Sequence, residues 1–295
     1  MKNIERKISV FTPTYNRAYV LPRLYNSLCK QTCEKFEWLV VDDGSTDNTE
    51  EVINNWMKEG RIFIRYFKQE NGGKQRAFNL GVEKSDLDLF LCVDSDDFLS
   101  DDCVEELLKK WEKIKCMQNI AGIIALRGDM DGNPLGTYFP EGLEYTTTIE
   151  LYGKYKFRGD MTMAYRTDIL KEYPYWVAEG EKFIGEGYVW RQIDQKYQLA
   201  IIPKLFMYGE YLPDGYTSSV RKVTKNNPKS YVVLKKQTIM YADSYWEKYI
   251  HTILCMVGLI MSDEKHILTA VPNKVLGIFA YIPAYIVWLI FYKNA

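Results

Sequence analysis

An α/β fold built on a mostly parallel sheet is what this sequence predicts, and three observations carry the prediction. Short apolar, β-rich runs recur at Ile8–Phe11, Phe36–Val41, Ile62–Phe67 and Leu87–Val93, each the length of a buried strand. Helical patterns fall between the runs. Turn-forming and acidic residues follow three of the four, and strands separated by helices pair in parallel through right-handed crossovers.

The elements can be justified in order. After the first run, Pro22 suits an early helical position, and Leu21, Leu24, Tyr25 and Leu28 keep a 3.6-residue period. After the second, the stretch Thr46-Asp47-Asn48-Thr49-Glu50-Glu51 offers capping hydroxyls and first-turn acids. After the fourth, Ser100 with Asp101 and Asp102 opens a helix holding Val104, Leu107, Leu108 and Trp111, and the two acids read as its cap. Residues 117–220 are richer in Gly, Tyr and turn signals and read as a mixed α/β half. The expected organisation is a domain over 1–220, divided near residue 100, and a helical C-terminal region over 221–295.

Composition narrows the function classes. The 295 residues carry a net charge of −1, so nucleic acid is not an expected partner. That charge is unevenly distributed: −7 over residues 1–220 and +5 over 221–250. The six cysteines lack zinc-ribbon or thioredoxin spacing, and reduced thiols are expected. Both histidines, His251 and His266, lie in the last 45 residues, which removes His-based zinc sites and Ser-His or Cys-His pairs from the first 220. The N-terminus lacks the apolar segment of a secretory signal, so the cytoplasmic side is expected for the catalytic part.

Open parallel sheets bind ligands beyond the carboxyl ends of their strands. That rule gathers Thr12-Pro13-Thr14-Tyr15, Asp42-Asp43-Gly44-Ser45 and Asp94-Ser95-Asp96-Asp97 on one edge. Asp94 and Asp96, two apart in an extended stretch, would point the same way. Carboxylates without His or Cys suit a hard cation, Mn²⁺ or Mg²⁺, with substrate phosphates as further ligands. A nucleoside diphosphate is the natural third party.

With these residues in view, the chain resembles the family 2 glycosyltransferases of the GT-A fold over roughly its first 220 residues. The resemblance rests on four ordered segments: Val10 to Arg17, Val40 to Asp47, Asn71-Gly72-Gly73-Lys74 with Ala77 and Asn79, and Asp94-Ser95-Asp96. It implies a Rossmann-like nucleotide-sugar-binding half over 1–100, an acceptor half over 101–220, and a nucleotide-sugar donor, UDP by family habit. By resemblance Pro13, Tyr15 and Asp42, with Thr12 and Ser45 nearby, hold the nucleoside. Asp94, Ser95 and Asp96 meet ribose and metal-bound diphosphate, Asp96 being the metal ligand. Lys74 follows two glycines at a helix start and would bind the donor's anion, although Gln75 rules out a P-loop.

The resemblance also implies an acidic general base four residues before an aromatic, a spacing met by Glu186 and Trp190. The family's usual pair of acids is here Gly185-Glu186, and Glu179, Glu181, Asp160 and Asp194 are rival positions. Single displacement inverts the anomeric centre, and without a Gln-x-x-Arg-Trp element one sugar is expected per event. A nucleotidyltransferase would carry a Gly-rich basic loop after the first strand, where this chain has Thr-Pro-Thr-Tyr-Asn. A catalytically inactive sugar-nucleotide-binding protein is the non-enzymatic alternative.

The C-terminal region adds an expectation of its own. Val275 to Tyr292 carries no charge, contains Pro283, and places Tyr281, Tyr285, Trp288 and Tyr292 at helical spacing as candidate headgroup-level rings. At about 27 Å a helix of that length is marginal against a hydrocarbon core of about 30 Å, so an in-plane or re-entrant helix is expected rather than a span. With the basic segment before it, this predicts attachment to the cytoplasmic face of a membrane and a saccharide acceptor that is itself lipid-linked.

Overall fold

The computed structural model describes residues 5–210 and 220–293. The chain divides into two compact units, Met1–Pro174 with Gln192–Glu210, and Tyr175–Arg191 with Tyr211–Ala295. Among the described residues, the first unit holds a nine-stranded mixed sheet in the order β3-β2-β1-β4-β8-β6-β9-β5, with β7 pairing β9. The strands are β1 (Ile8–Thr14), β2 (Phe36–Asp42), β3 (Ile64–Lys68), β4 (Leu89–Cys92), β5 (Phe98–Leu99), β6 (Ile120–Gly128), β7 (Tyr145–Thr146), β8 (Met161–Arg166) and β9 (Gln198–Tyr208). The helices in chain order are α1 (Leu21–Cys29), α2 (Thr49–Glu59), α3 (Lys74–Lys84), α4 (Cys103–Ile114), α5 (Thr148–Gly153), α6 (Thr167–Glu172), α7 (Gly187–Ile193), α8 (Val220–Asn226), α9 (Pro228–Tyr241), α10 (Tyr245–Met261), α11 (Ile267–Ala270) and α12 (Lys274–Phe291).

The first four strands are parallel, β2 and β4 flanking β1 and β3 lying outside β2. Both faces of this half are covered, which is why its strands read as continuous apolar runs. Leu21, Leu24, Tyr25 and Leu28 of α1 join Val10, Trp38, Val40 and Trp56 in one core. Tyr25 stacks on Trp56 at a centroid distance of 4.3 Å. On the other face, Phe78 of α3 meets Phe11 and Phe90 edge-on. Gly81 lets that helix approach, because any Cβ there would collide with the Phe11 ring.

One local expectation changes. The hydroxyls before α2 do not cap it; Asp47 does the equivalent work, accepting from Thr49 N at 3.0 Å and from Ala18 N at 3.2 Å. Beyond β4 the sheet is mixed, as expected of the half after residue 117: β8 inserts antiparallel between β4 and β6, while β6 and β9 pair in parallel. Strand order reverses between β1 and β4, which puts the topological switch point, where ligands of open α/β sheets bind, at the carboxyl ends of these strands.

The second unit is helical in its C-terminal part. α10 is sandwiched between α9 and α12, with Cys255, Met256, Val257 and Ala280 fully buried. α12 turns Gly277, Ala280 and Ala284 inward, whereas Ile278, Phe279, Ile282 and Ile290 are each at least 65% exposed. Trp288 and Tyr292 pack against the core, so the four aromatic residues do not form one exposed face. Pro283 leaves α12 unbroken. It removes the N–H that would bond the carbonyl four residues earlier, and the Tyr249 hydroxyl donates to that Phe279 carbonyl at 3.3 Å.

Candidate active site

The loops after β1 and β2 are stitched together at the switch point. Thr14 and Asp42 are register partners at the strand ends. Asn16, in the left-handed region at φ 52°, accepts at its Oδ1 from Thr46 N at 2.8 Å, and its own N–H donates to Ser45 Oγ at 2.8 Å. Asp42 is fully buried: Oδ1 accepts from Ser45 N at 2.7 Å and Oδ2 from the Tyr66 hydroxyl at 2.6 Å. Thr12 and Pro13 lie below in the sheet, the Thr12 hydroxyl accepting from Trp38 Nε1 at 3.0 Å, and Tyr15 above them is 46% exposed.

The anionic side is built from α3 and the segment after β4. Lys74, first residue of α3, reaches Asp94 at 2.8 Å. Asp94, Ser95, Asp96 and Asp97 form a turn closed by Asp97 N donating to Asp94 O at 3.0 Å. This corrects the extended stretch expected there, and the convergence of the acids comes from the turn rather than from strand alternation. Carboxylate oxygens of Asp94, Asp96 and Asp97 lie within 4.8 Å of one another. Two arginines brace the turn. Arg23 donates to the Asp96 carbonyl and pairs with Glu210 at 3.1 Å, while Arg127 of β6 bridges Asp97 at 2.7 Å and Asp160 at 2.9 Å.

The crowding shows in the acidities. Burial would raise the Asp94 carboxyl, but the Lys74 ammonium beside it holds it below the usual range. Burial and the Asp94 charge push Asp96 up. Burial takes Asp97 up to about 7 against the opposing pull of Arg127. Excess negative charge on oxygen donors alone fits a hard divalent cation. With Asp94 on Lys74 and Asp97 on Arg127, Asp96 is the carboxylate outside both ion pairs.

The structure therefore brings Asp42, Ser45, Lys74, Asp94, Ser95 and Asp96 to one sheet edge. Glu186 belongs to the second unit, directly before α7, where its carbonyl accepts from Val189 N at 3.2 Å. Three rivals for the base are engaged elsewhere. Glu181 accepts from Lys229 N and Ser230 N at 2.8 and 2.7 Å at the start of α9, Asp194 accepts from Ile149 N at 2.9 Å, and Asp160 pairs with Arg127. Sequence reasoning missed Tyr66, Arg23 and Arg127 as partners of the site; none lies near a motif it contacts.

The sequence model of Glycosyl transferase family 2 matches residues 9–174, more than half of the chain. The chain belongs to glycosyl transferase family 2. Among curated relatives, a glycosyltransferase of Haemophilus influenzae is 36% identical over 101 residues, 34% of this chain and 40% of that protein. Glycosyltransferase GlyG of Streptococcus pneumoniae is 33% identical over 127 residues, 43% of this chain and 42% of its own length. The poly(ribitol-phosphate) beta-N-acetylglucosaminyltransferase TarS of Staphylococcus aureus is 32% identical over 102 residues, and the match spans 18% of TarS. Among solved structures, residues 1–349 of TarS in complex with UDP-GlcNAc superpose with a TM-score of 0.59 at 17% identity, covering 96% of this chain and 91% of that one. The mannosyltransferase PcManGT from Pyrobaculum calidifontis, with GDP-Man and Mn²⁺, gives 0.57 at 14% identity, covering 99% and 82%. These similarities show the GT-A fold.

Proposed function

We propose that this family member transfers a single sugar from a nucleoside-diphosphate sugar, UDP-linked by preference, to a hydroxyl of a saccharide acceptor with inversion at the anomeric carbon. The observation that carries the reading is the meeting of Asp42, the Lys74–Asp94 pair and Asp96 at one sheet edge. Asp42, held by Ser45 and Tyr66, is a fixed acceptor suited to a nucleobase N–H, and Lys74 is a cation suited to the diphosphate. The UDP-GlcNAc complex of TarS supports the UDP preference. Mn²⁺ or Mg²⁺ on Asp96 would neutralise charge on the departing diphosphate. Glu186, chosen by its spacing to Trp190, would accept the acceptor's proton as that oxygen attacks opposite the leaving group. In this reading residues 1–100 serve the donor and 101–220 the acceptor. A thermal-shift screen of nucleotide sugars with Mn²⁺ tests it, since a ligand of the native state raises Tm. A rise with one nucleoside diphosphate and its sugars supports the proposal; no rise with any of them counts against it.

The acceptor reading rests on residues 221–295. α12 has a mean hydropathy of 1.9, and 17% of it is buried. Cations gather at its C-terminal end: Arg221 lies over the Phe291 ring at 4.8 Å, and Lys225 donates to the Lys293 carbonyl at 3.2 Å. An apolar face beside basic residues suits an anionic bilayer surface. Because α10 covers its inner face, an in-plane position on the cytoplasmic leaflet fits better than a span. A lipid-linked saccharide of bacterial-type surface polysaccharide synthesis would then be the acceptor.

A further inference from the structure

Beside Asp42 lies a second carboxylate with a different environment. Asp43 is 4% exposed and accepts four hydrogen bonds from one short loop: from Gln69 Nε2 at 2.6 Å and Gly72 N at 2.8 Å on Oδ1, and from Asn71 Nδ2 at 3.1 Å and Gly73 N at 2.7 Å on Oδ2. A carboxylate offers about four lone-pair positions, so Asp43 is saturated and has none left for substrate. Its backbone is fixed too, because Asp43 N donates to Thr14 O at 2.8 Å and its carbonyl accepts from Asn71 Nδ2 at 2.8 Å.

What Asp43 holds is the start of α3. Gly73 is the N-cap residue, at φ 94°, and has no side chain with which to cap the helix. A bulkier residue would be strained at that φ. The next residue is Lys74, whose ammonium meets Asp94. Gly44 keeps the loops close, since a Cβ on it would sit 3.0 Å from Asn71 N. Charge-assisted bonds from an ionised acceptor to backbone N–H groups are the strong kind, so the loop's position follows the Asp43 carboxylate.

We propose that Asp43 is a positioning residue for donor binding: by gathering the Gln69–Gly73 loop it sets where α3 begins and so where Lys74 meets the donor diphosphate. The inference rests on the reading of Lys74 as a donor-binding residue, and the experiment separates the two.

The experiment is titration calorimetry with Mn²⁺, using UDP and uridine on the full chain, or GDP and guanosine should GDP bind the wild type more tightly. It compares the wild type, Asp43→Asn, Lys74→Met and the double variant. Asn keeps the size of Asp but turns an NH₂ towards a backbone N–H. The expected result is about tenfold weaker diphosphate binding in each single variant, nucleoside binding within about twofold of wild type, and a double variant no more than about threefold worse than Lys74→Met. Residues acting as one unit are non-additive in this way. A double variant weakened by the product of the two effects, about a hundredfold, overturns the Asp43 inference, and so does equal loss of nucleoside binding in Asp43→Asn. Unchanged diphosphate affinity in Lys74→Met overturns the Lys74 reading, and this inference with it. Should Asp43→Asn fail to fold, Asn71→Ala removes one of the four donors; about threefold weaker diphosphate binding that vanishes in the Lys74→Met background is expected, and additivity there has the same adverse meaning.

Discussion

Arg127 and Asp97 form an ion pair at 2.7 Å beneath the acidic turn, with Asp97 only 2% exposed and the other arm of Arg127 on Asp160. Removing Arg127 leaves the buried Asp97 carboxyl to protonate or to carry an uncompensated charge, and either costs more than the pair contributes. Arg127→Met is expected to destabilise the protein by about 3 kcal/mol and to disturb the turn that carries Asp96. Denaturant titration of the variant checks this. A loss under about 1 kcal/mol, the scale of a surface pair, would show that Asp97 is not held by Arg127.

The assignment of the base predicts a separation of kinetic constants. Glu186→Gln keeps shape and hydrogen-bonding capacity while losing basicity, so kcat should fall by about two orders of magnitude or more with donor affinity nearly intact. Steady-state kinetics with separate donor titration checks it. Wild-type turnover would move the role to another acid, Glu179 being the rival not engaged by the contacts described above.

For the membrane reading, the sensitive change is on the exposed face of α12. Ile278→Glu combined with Ile282→Glu should leave the packed face of Gly277, Ala280 and Ala284 untouched while releasing the protein from vesicles of phosphatidylcholine and phosphatidylglycerol. Co-sedimentation measures it. A wild-type chain that stays in the supernatant, or a double variant that still sediments, contradicts the reading.

Tyr249 answers for Pro283. Tyr249→Phe leaves the Phe279 carbonyl without its hydroxyl donor, and a loss of about 1 kcal/mol is expected, the worth of an ordinary hydrogen bond. Pro283→Ala in that background should recover much of the loss, because it restores the helical donor. No recovery would mean the hydroxyl serves some other purpose.

Much of the parallel half of the sheet was legible because its signals are local. The runs that became β1 to β4 carry their own periodicity, and the rule that ligands gather at strand ends located three loops without any knowledge of packing. What escaped was set by distance along the chain or by turn geometry. Arg127 lies 30 residues from Asp97 near the end of an otherwise apolar strand, so nothing in the sequence marked it as that residue's partner. Asp43 is set apart from Asp42 by the loop folded over it, which the sequence does not mark. The antiparallel insertion of β8 depends on pairing with β4 and β6, which no single segment encodes. The aromatic spacing in α12 was real, but α10 claims part of that face, and a pattern read from one helix cannot show what its neighbour covers.

Asp96 and a divalent cation are proposed to serve the transfer of a sugar from a nucleoside diphosphate. The most direct measurement is release of nucleoside diphosphate from a donor found by the thermal-shift screen, with its acceptor present, comparing wild type and Asp96→Asn with Mn²⁺ and with excess chelator. Release by the wild type that needs Mn²⁺, and is lost at least a hundredfold in Asp96→Asn, is the predicted result, in line with removal of a group that stabilises the leaving charge. Full release in chelator, or an Asp96→Asn variant as fast as wild type, would contradict the account.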